Sequence, residues 1–305
     1  MGELDENGRG FVRLMRRVFL IGIPYVWLLA LFLIPFGIVF KISLSDIALA
    51  IPPYTPTMKD GLAALIAGLD FENFVFLTED ALYWKAYLSS LQIAGLSTVL
   101  TLLVGYPIAY AMARAPSEWR PTLMMLIILP FWTSFLIRVY AWVGILSTEG
   151  FLNQLLLWVG LINEPLTILN TSIAVYIGIV YTYVPFMILP IFAALDRLDG
   201  SLIEAAEDLG CSRAQAFWLV TWPLSRNGVI AGCFLVFIPA LGEFVIPSLL
   251  GGSGTLMIGK VLFEEFFSNR DWPVASAVAV VLLLILVVPI VLFQINQQKQ
   301  AEAEQ

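Results

Sequence analysis

The chain has 305 residues, of which 60% are hydrophobic, with a mean hydropathy of +0.89 and a formal net charge of −7. So apolar a composition excludes a soluble domain and marks an integral membrane protein. The absence of histidine, with only Cys211 and Cys233 as thiols, argues against a zinc or haem site, a disulfide framework and any Ser/His/Asp or Cys/His catalytic arrangement. No basic face suited to nucleic acid is present.

Residues 1–17 read as a polar tail, frayed over the first ten, carrying Arg9, Arg13, Arg16 and Arg17. A first apolar run at 18–40 is longer than the core of a secretory signal and can cross the roughly 30 Å of hydrocarbon. A long polar excursion follows to residue 85, with Pro52, Pro53 and Pro56 keeping part of it irregular. Further spans are predicted at 86–113, 121–147, 170–195, 226–250 and 274–296, and 297–305 is a polar tail. The expected architecture is thus an all-α integral membrane protein with six transmembrane helices. Its boundaries are 1–17, 18–85, 86–296 and 297–305. Trp84, Trp119, Trp158 and Trp272 fall near span ends, as interfacial aromatics do.

Charge gives the orientation. Ten Lys and Arg fall on the side of the two termini and five (Lys41, Lys59, Lys85, Lys260, Arg270) on the other. The excess places both termini in the cytoplasm. Eleven acidic residues, Asp60 among them, give the outer face a modest attraction for cations.

The longest polar interruption in the C-terminal half, 199–223, reads as a helix–turn–helix peg. Ser201 with Glu204 and Ser212 with Gln215 form two capping-box patterns. Gly210 sits between them as a left-handed turn residue, and Pro223 is expected to stop the second helix. The orientation above places this peg in the cytoplasm.

Two charges lie well inside predicted spans, Arg138 and Glu243. Intramembrane ionisable residues usually face a bundle interior or a wet path. Either Glu243 meets a cationic substrate, or Arg138 and Glu243 neutralise each other. Aromatics crowd around Arg138: Phe131, Trp132, Phe135, Tyr140 and Trp142. Their ring faces would favour an alkylammonium. Prolines occur in nearly every span, and 183–185 and 239–243 are the better candidates for helix breaks beside a path. The run 254–260 imitates a phosphate-binding loop but continues with Val261 where Ser or Thr should follow. The chain itself therefore shows no ATPase motif, and an ion-coupled secondary transporter or a substrate-free scaffold remains an alternative class.

Several stretches carry a family resemblance. Glu204-Ala205-Ala206, Gly210 and Val220-x-Trp222-Pro223 resemble the EAA motif of ABC importer permeases, with Trp222 in place of the usual Leu. The stretches 129–142, 175–181, 237–247 and 269–276 are similar to polyamine ABC importer permeases, closest to the putrescine type. This resemblance implies a type I importer fold in the bacterial inner membrane, with 199–223 as the coupling loop. It also implies a second homologous permease, two copies of a cytoplasmic ATPase that carries ATP and Mg, and a periplasmic polyamine-binding protein. Glu204, Ala205, Ala206 and Gly210 would belong to the coupling segment, and Phe217 and Trp218 could fill an apolar cleft of the ATPase. Glu243, Arg138, Trp132, Tyr140 and Trp142 are the expected substrate path.

Overall fold

The computed structural model describes residues 3–57, 61 and 68–303, with side chains described for 19–57, 61, 68–287 and 290–291. The charges of Lys59 and Asp60, and the side chains of Arg9, Arg13, Arg16, Arg17 and Lys299, lie outside the described residues. The chain divides into two compact units, one made of Met1–Glu79 with Glu265–Gln305 and the other of Asp80–Glu264.

In the first unit, α1 (Glu3–Ser43) packs along α13 (Trp272–Ala303). The helix begins at Glu3, so the frayed tail expected there is corrected. After α1, a two-stranded antiparallel hairpin pairs β1 (Asp46–Ile47) with β2 (Tyr54–Thr55). The hairpin base is tied down locally. The Lys41 ammonium donates to the Pro56 carbonyl and lies over the Tyr54 ring, and Asn73 Nδ2 donates to the Ser43 and Ser45 carbonyls at 3.0 and 2.8 Å. Asn73 belongs to α2 (Glu72–Glu79).

The second unit is built on three long helices in mutual contact: α3 (Ala81–Arg114), α7 (Ser172–Asp196) and α10 (Trp222–Leu241). Their shared core contains the fully buried Ala94, Ile179, Met187, Ile188, Ile191 and Val236. Small residues allow the close approach: a Cβ on Gly228 would lie 2.6 Å from the Pro190 carbonyl oxygen, and one on Gly232 would lie 2.8 Å from Met187 Sδ. Between α3 and α7 come α4 (Arg120–Ile128), a 3₁₀ turn (Leu129–Trp132), α5 (Phe135–Leu146) and α6 (Phe151–Val159). After α7 come α8 (Ser201–Asp208) and α9 (Arg213–Ala216). A π-helical turn (Phe217–Thr221) leads from α9 into α10. Beyond α10 lie α11 (Val245–Leu249) and α12 (Ile258–Phe263), the latter running into a second π turn (Glu264–Asn269).

Among the described residues, five helical segments are long and apolar enough to cross a membrane: Phe19–Ser43, Ala81–Arg114, Phe135–Val159, Ser172–Asp196 and Arg213–Leu241. Arg120–Trp132 and Trp272–Val287 are shorter apolar helices. The span expected at 121–147 is therefore not one helix. Pro130 takes the chain into a 3₁₀ turn, and extended backbone at Thr133 and Ser134 separates α4 from α5. The span expected at 226–250 likewise ends at Leu241. The break expected at 183–185 is absent. α7 runs through Pro185 and Pro190, held between α3 and α10.

Candidate functional site: a capped helix break and a coupling segment

Two places in the second unit carry functional geometry. The first is where α10 stops. After Leu241 the chain turns at Gly242, and the Glu243 carboxylate folds back on the start of α11. Its Oε1 accepts the backbone amides of Phe244, Val245 and Ile246 at 3.1, 3.0 and 3.4 Å. Its Oε2 accepts the Tyr183 hydroxyl at 2.7 Å. Glu243 is 8% exposed. Four donors thus converge on one buried carboxylate. It supplies acceptors to amides that a helix start leaves unpaired. α12 packs directly on this break, because a Cβ on Gly259 would lie 2.3 Å from the Gly242 carbonyl oxygen. The first amide of α12, at Ile258, donates to Ser90 Oγ at 2.7 Å. In the 254–260 run, then, Gly259 is a packing contact and the helix start is already occupied by a side chain.

Beside the break lies a cavity of ≈ 730 Å³, whose lining includes Phe131, Phe135, Arg138, Tyr183, Phe186 and Glu243. The expected pair thus shares one cavity, but as no direct ion pair. Glu243 is engaged by Tyr183 and the three amides, and the Arg138 guanidinium lies 4.9 Å from the Phe131 ring centroid and 5.9 Å from that of Phe135. Arg138 Nε is buried and finds no acceptor among the described residues. Direct neutralisation is corrected for a geometric reason: the carboxylate is turned toward its own following backbone. The other expected path residues stand apart from this cavity. Trp132 and Tyr140 are exposed at 79% and 59%, and Trp142 packs edge-on to Tyr181 at 5.3 Å. Tyr183 and Phe186 are among the lining residues that sequence reasoning did not assign to a substrate path. The Tyr183-Val-Pro185 stretch drew notice for its proline, whereas the atom that reaches Glu243 is the tyrosine hydroxyl.

The second place is 199–223. α8 closes in a Schellman turn. Gly210, at φ +89°, donates its amide to the Glu207 carbonyl at 2.9 Å, and the Cys211 amide reaches the Ala206 carbonyl at 3.0 Å. Two residues of the E-A-A-x₃-G pattern, Ala206 and Gly210, therefore make the turn itself. Ser212 and Gln215 form the expected capping box at the start of α9. The box expected at Ser201 and Glu204 is corrected. The helix begins one residue earlier, with Gly200 as its cap, and the Ser201 amide donates to Asp199 Oδ1 at 3.0 Å. That hydrogen bond holds the Asp199 carboxyl below its ordinary value.

Pro223 does not stop the second helix. In the π turn the Trp222 amide skips to the Phe217 carbonyl, so the residue without an amide arrives at the first turn of α10, where none is required. An aromatic cluster braces this joint: Phe217 is edge-on to Tyr106 at 5.8 Å and to Tyr110 at 5.6 Å, and Trp222 lies 5.3 Å from Tyr106. The Tyr106 hydroxyl is 2.9 Å from Ser225 Oγ. Trp222, which departs from the family pattern, fills this cluster. Phe217 thus faces inward, whereas Leu209, Trp218 and Leu219 are exposed at 87%, 61% and 66%. Glu204 and Ala205 are also exposed. Three large apolar side chains are thus exposed on an otherwise polar loop.

The comparisons decide the family. Residues 13–300 match the model of the binding-protein-dependent transport system inner membrane component. The chain belongs to this family. It is therefore a multi-pass membrane protein and a transport component. A spermidine/putrescine transport system permease protein of Haemophilus influenzae is 40% identical over 260 residues, covering 85% of this chain and 86% of the relative. Its Escherichia coli K12 counterpart is 44% identical over 207 residues, covering 68% and 75%. Among solved structures, a bacterial ABC transporter that imports the acidic polysaccharide alginate superposes with a TM-score of 0.68 at 18% identity. That match covers 95% of this chain and 98% of the other, and establishes the permease fold.

Proposed function

We propose that this chain is a transmembrane permease subunit of an ATP-binding-cassette importer that moves polyamines, putrescine first, from periplasm to cytoplasm. The observation that carries the substrate class is the 40% identity over 85% of the chain to a spermidine/putrescine permease. The charge asymmetry supports a cytoplasmic location for both termini and for 199–223. In that orientation the exposed apolar face at Leu209, Trp218 and Leu219 docks on a separate ATPase, with Glu204 and Ala205 beside it. Phe217, turned inward, passes the motion to α3 and α10 instead of entering the ATPase cleft. Closure of two ATPase subunits on their ATP and Mg moves α8 and α9 as one body. The braced π turn carries that motion into α10.

At the far end of α10 the capped break fixes the wall of the cavity. Glu243 holds Tyr183, whose ring, with Phe131 and Phe186, offers faces to an alkylammonium. Arg138 sets the opposite charge in the same wall. A second homologous permease completes the path, and a periplasmic binding protein delivers the substrate. The test is uptake of labelled putrescine by proteoliposomes holding this chain, its second permease and the ATPase, with the binding protein supplied outside. ATP-dependent uptake competed by spermidine is the expected result. ATP-dependent uptake of another solute without putrescine uptake would overturn the substrate class. Uptake driven by an ion gradient with the ATPase removed would overturn the coupling.

A further inference from the structure

The hairpin of the first unit exposes apolar side chains that nothing in the transport cycle uses. Ile47, Leu49 and Ile51 are 55%, 111% and 97% exposed, and no charged residue occurs from 47 to 57. The hairpin flanks a groove of ≈ 720 Å³ whose lining runs from Ile47 to Pro53 on one side and includes Asn269, Arg270 and Trp272 on the other. We infer that this groove is a phospholipid site, with an acyl chain along the hairpin tip and the headgroup phosphate at Arg270.

Three observations point to lipid. The groove follows closely in the chain on a span with an exposed apolar surface: β1 starts three residues after α1 ends, and α1 exposes apolar side chains from Phe19 to Phe40. Tyr54 lies 6.3 Å from Trp272, which stacks on Phe266 at 4.8 Å, so interfacial aromatics sit at the groove's base. A tip of Leu and Ile at headgroup level gains by burial in the acyl boundary. The charge also fits. Asn269 Nδ2 donates to Glu265 Oε2 at 2.8 Å, and Asp271 Oδ1 accepts the Val274 amide at 3.0 Å. These contacts engage Glu265 and Asp271, the acidic residues on Arg270's side of the groove, while Arg270 is exposed with no hydrogen bond or ion pair among the described residues. An arginine fork matches a phosphate.

The test uses the full chain with its partner subunits in phosphatidylcholine vesicles. Leu49→Cys, in a background with the free thiols Cys211 and Cys233 changed to Ser, carries a bimane fluorophore. With lipids brominated high on the acyl chain the label should lose much of its emission. Aqueous iodide should quench it weakly. Arg270→Gln should reduce the lipid quenching at position 49 while leaving a bimane at Phe32→Cys in α1 unchanged, and added inorganic phosphate should not displace it. Strong iodide quenching with no effect of brominated lipid would overturn the inference. So would shielding of position 49 that appears only when the periplasmic binding protein is added, which would assign the tip to a protein partner.

Discussion

The two ends of α10 both leave regular helical geometry, by different means. At its start, the π turn Phe217–Thr221 absorbs Pro223 without a break, and rings of α3 brace the joint. At its end, the helix stops at Leu241, and the buried Glu243 supplies acceptors for the next helix. The first arrangement keeps the chain mechanically continuous, which suits transmission of a force from 199–223. The second sets α11 apart as a separate piece, its start capped by Glu243 and its Ile246 buried against α7, which suits a wall that must hold its shape beside a cavity. The contrast shows why a proline does not locate a helix break: what matters is whether the missing amide was needed and whether other groups satisfy the freed backbone.

The contrast is easiest to break at Glu243. Glu243→Ala leaves the Tyr183 hydroxyl and three amides without their acceptor, and should cost about 3 kcal/mol at this buried site. Thermal unfolding of the detergent-solubilised chain would report it. Glu243→Gln keeps an oxygen for the amides and should lose much less. Equal loss in both variants would mean that charge, not capping, is the role.

At the other end of α10, Tyr106→Phe removes the hydroxyl bonded to Ser225 and should cost about 1 kcal/mol. In the coupling segment, Ser212→Ala should weaken α9 by about 1 kcal/mol, read as faster amide exchange over 213–216. Ser201→Ala should leave α8 little changed, since the side-chain acceptor at its start is Asp199, on the Ser201 amide. A pH effect separates these last two serines. Because the folded Asp199 carboxyl titrates below its ordinary value, its stabilising hydrogen bond to the Ser201 amide is fully present above that value and is lost as pH falls through the folded one. Protection of the Ser201 amide should follow that course, and Asp199→Asn should remove the pH dependence.

Much of this was legible in the chain. The hydropathy runs located α1, α3, α7 and α13, and Gly210 announced its left-handed turn through spacing alone. Arg138 and Glu243 stood out because charge inside an apolar run is costly, and the structure places them in one cavity. What could not be read was the direction of side chains. Pattern alone did not show that Glu243 turns back on its own backbone, that α8 starts at Ser201 with Asp199 accepting its amide, or that Phe217 faces Tyr106 and Tyr110 while Trp218 faces out. The split of 121–147 into α4 and α5 was hidden for a related reason. Hydropathy counts apolar residues and is blind to the extended backbone at Thr133 and Ser134, which only packing makes affordable.

The account's central claim is that 199–223 transmits ATPase work into α10 through a rigid turn. Gly210→Pro tests it most directly, because proline's fixed negative φ is incompatible with +89° and its missing amide removes the hydrogen bond to Glu207. Uptake of labelled putrescine and ATP hydrolysis should be measured together in proteoliposomes holding the full complex. The account predicts that the variant reaches the membrane, that ATP hydrolysis continues, and that uptake is lost. Uptake at the wild-type rate per ATP hydrolysed would contradict it.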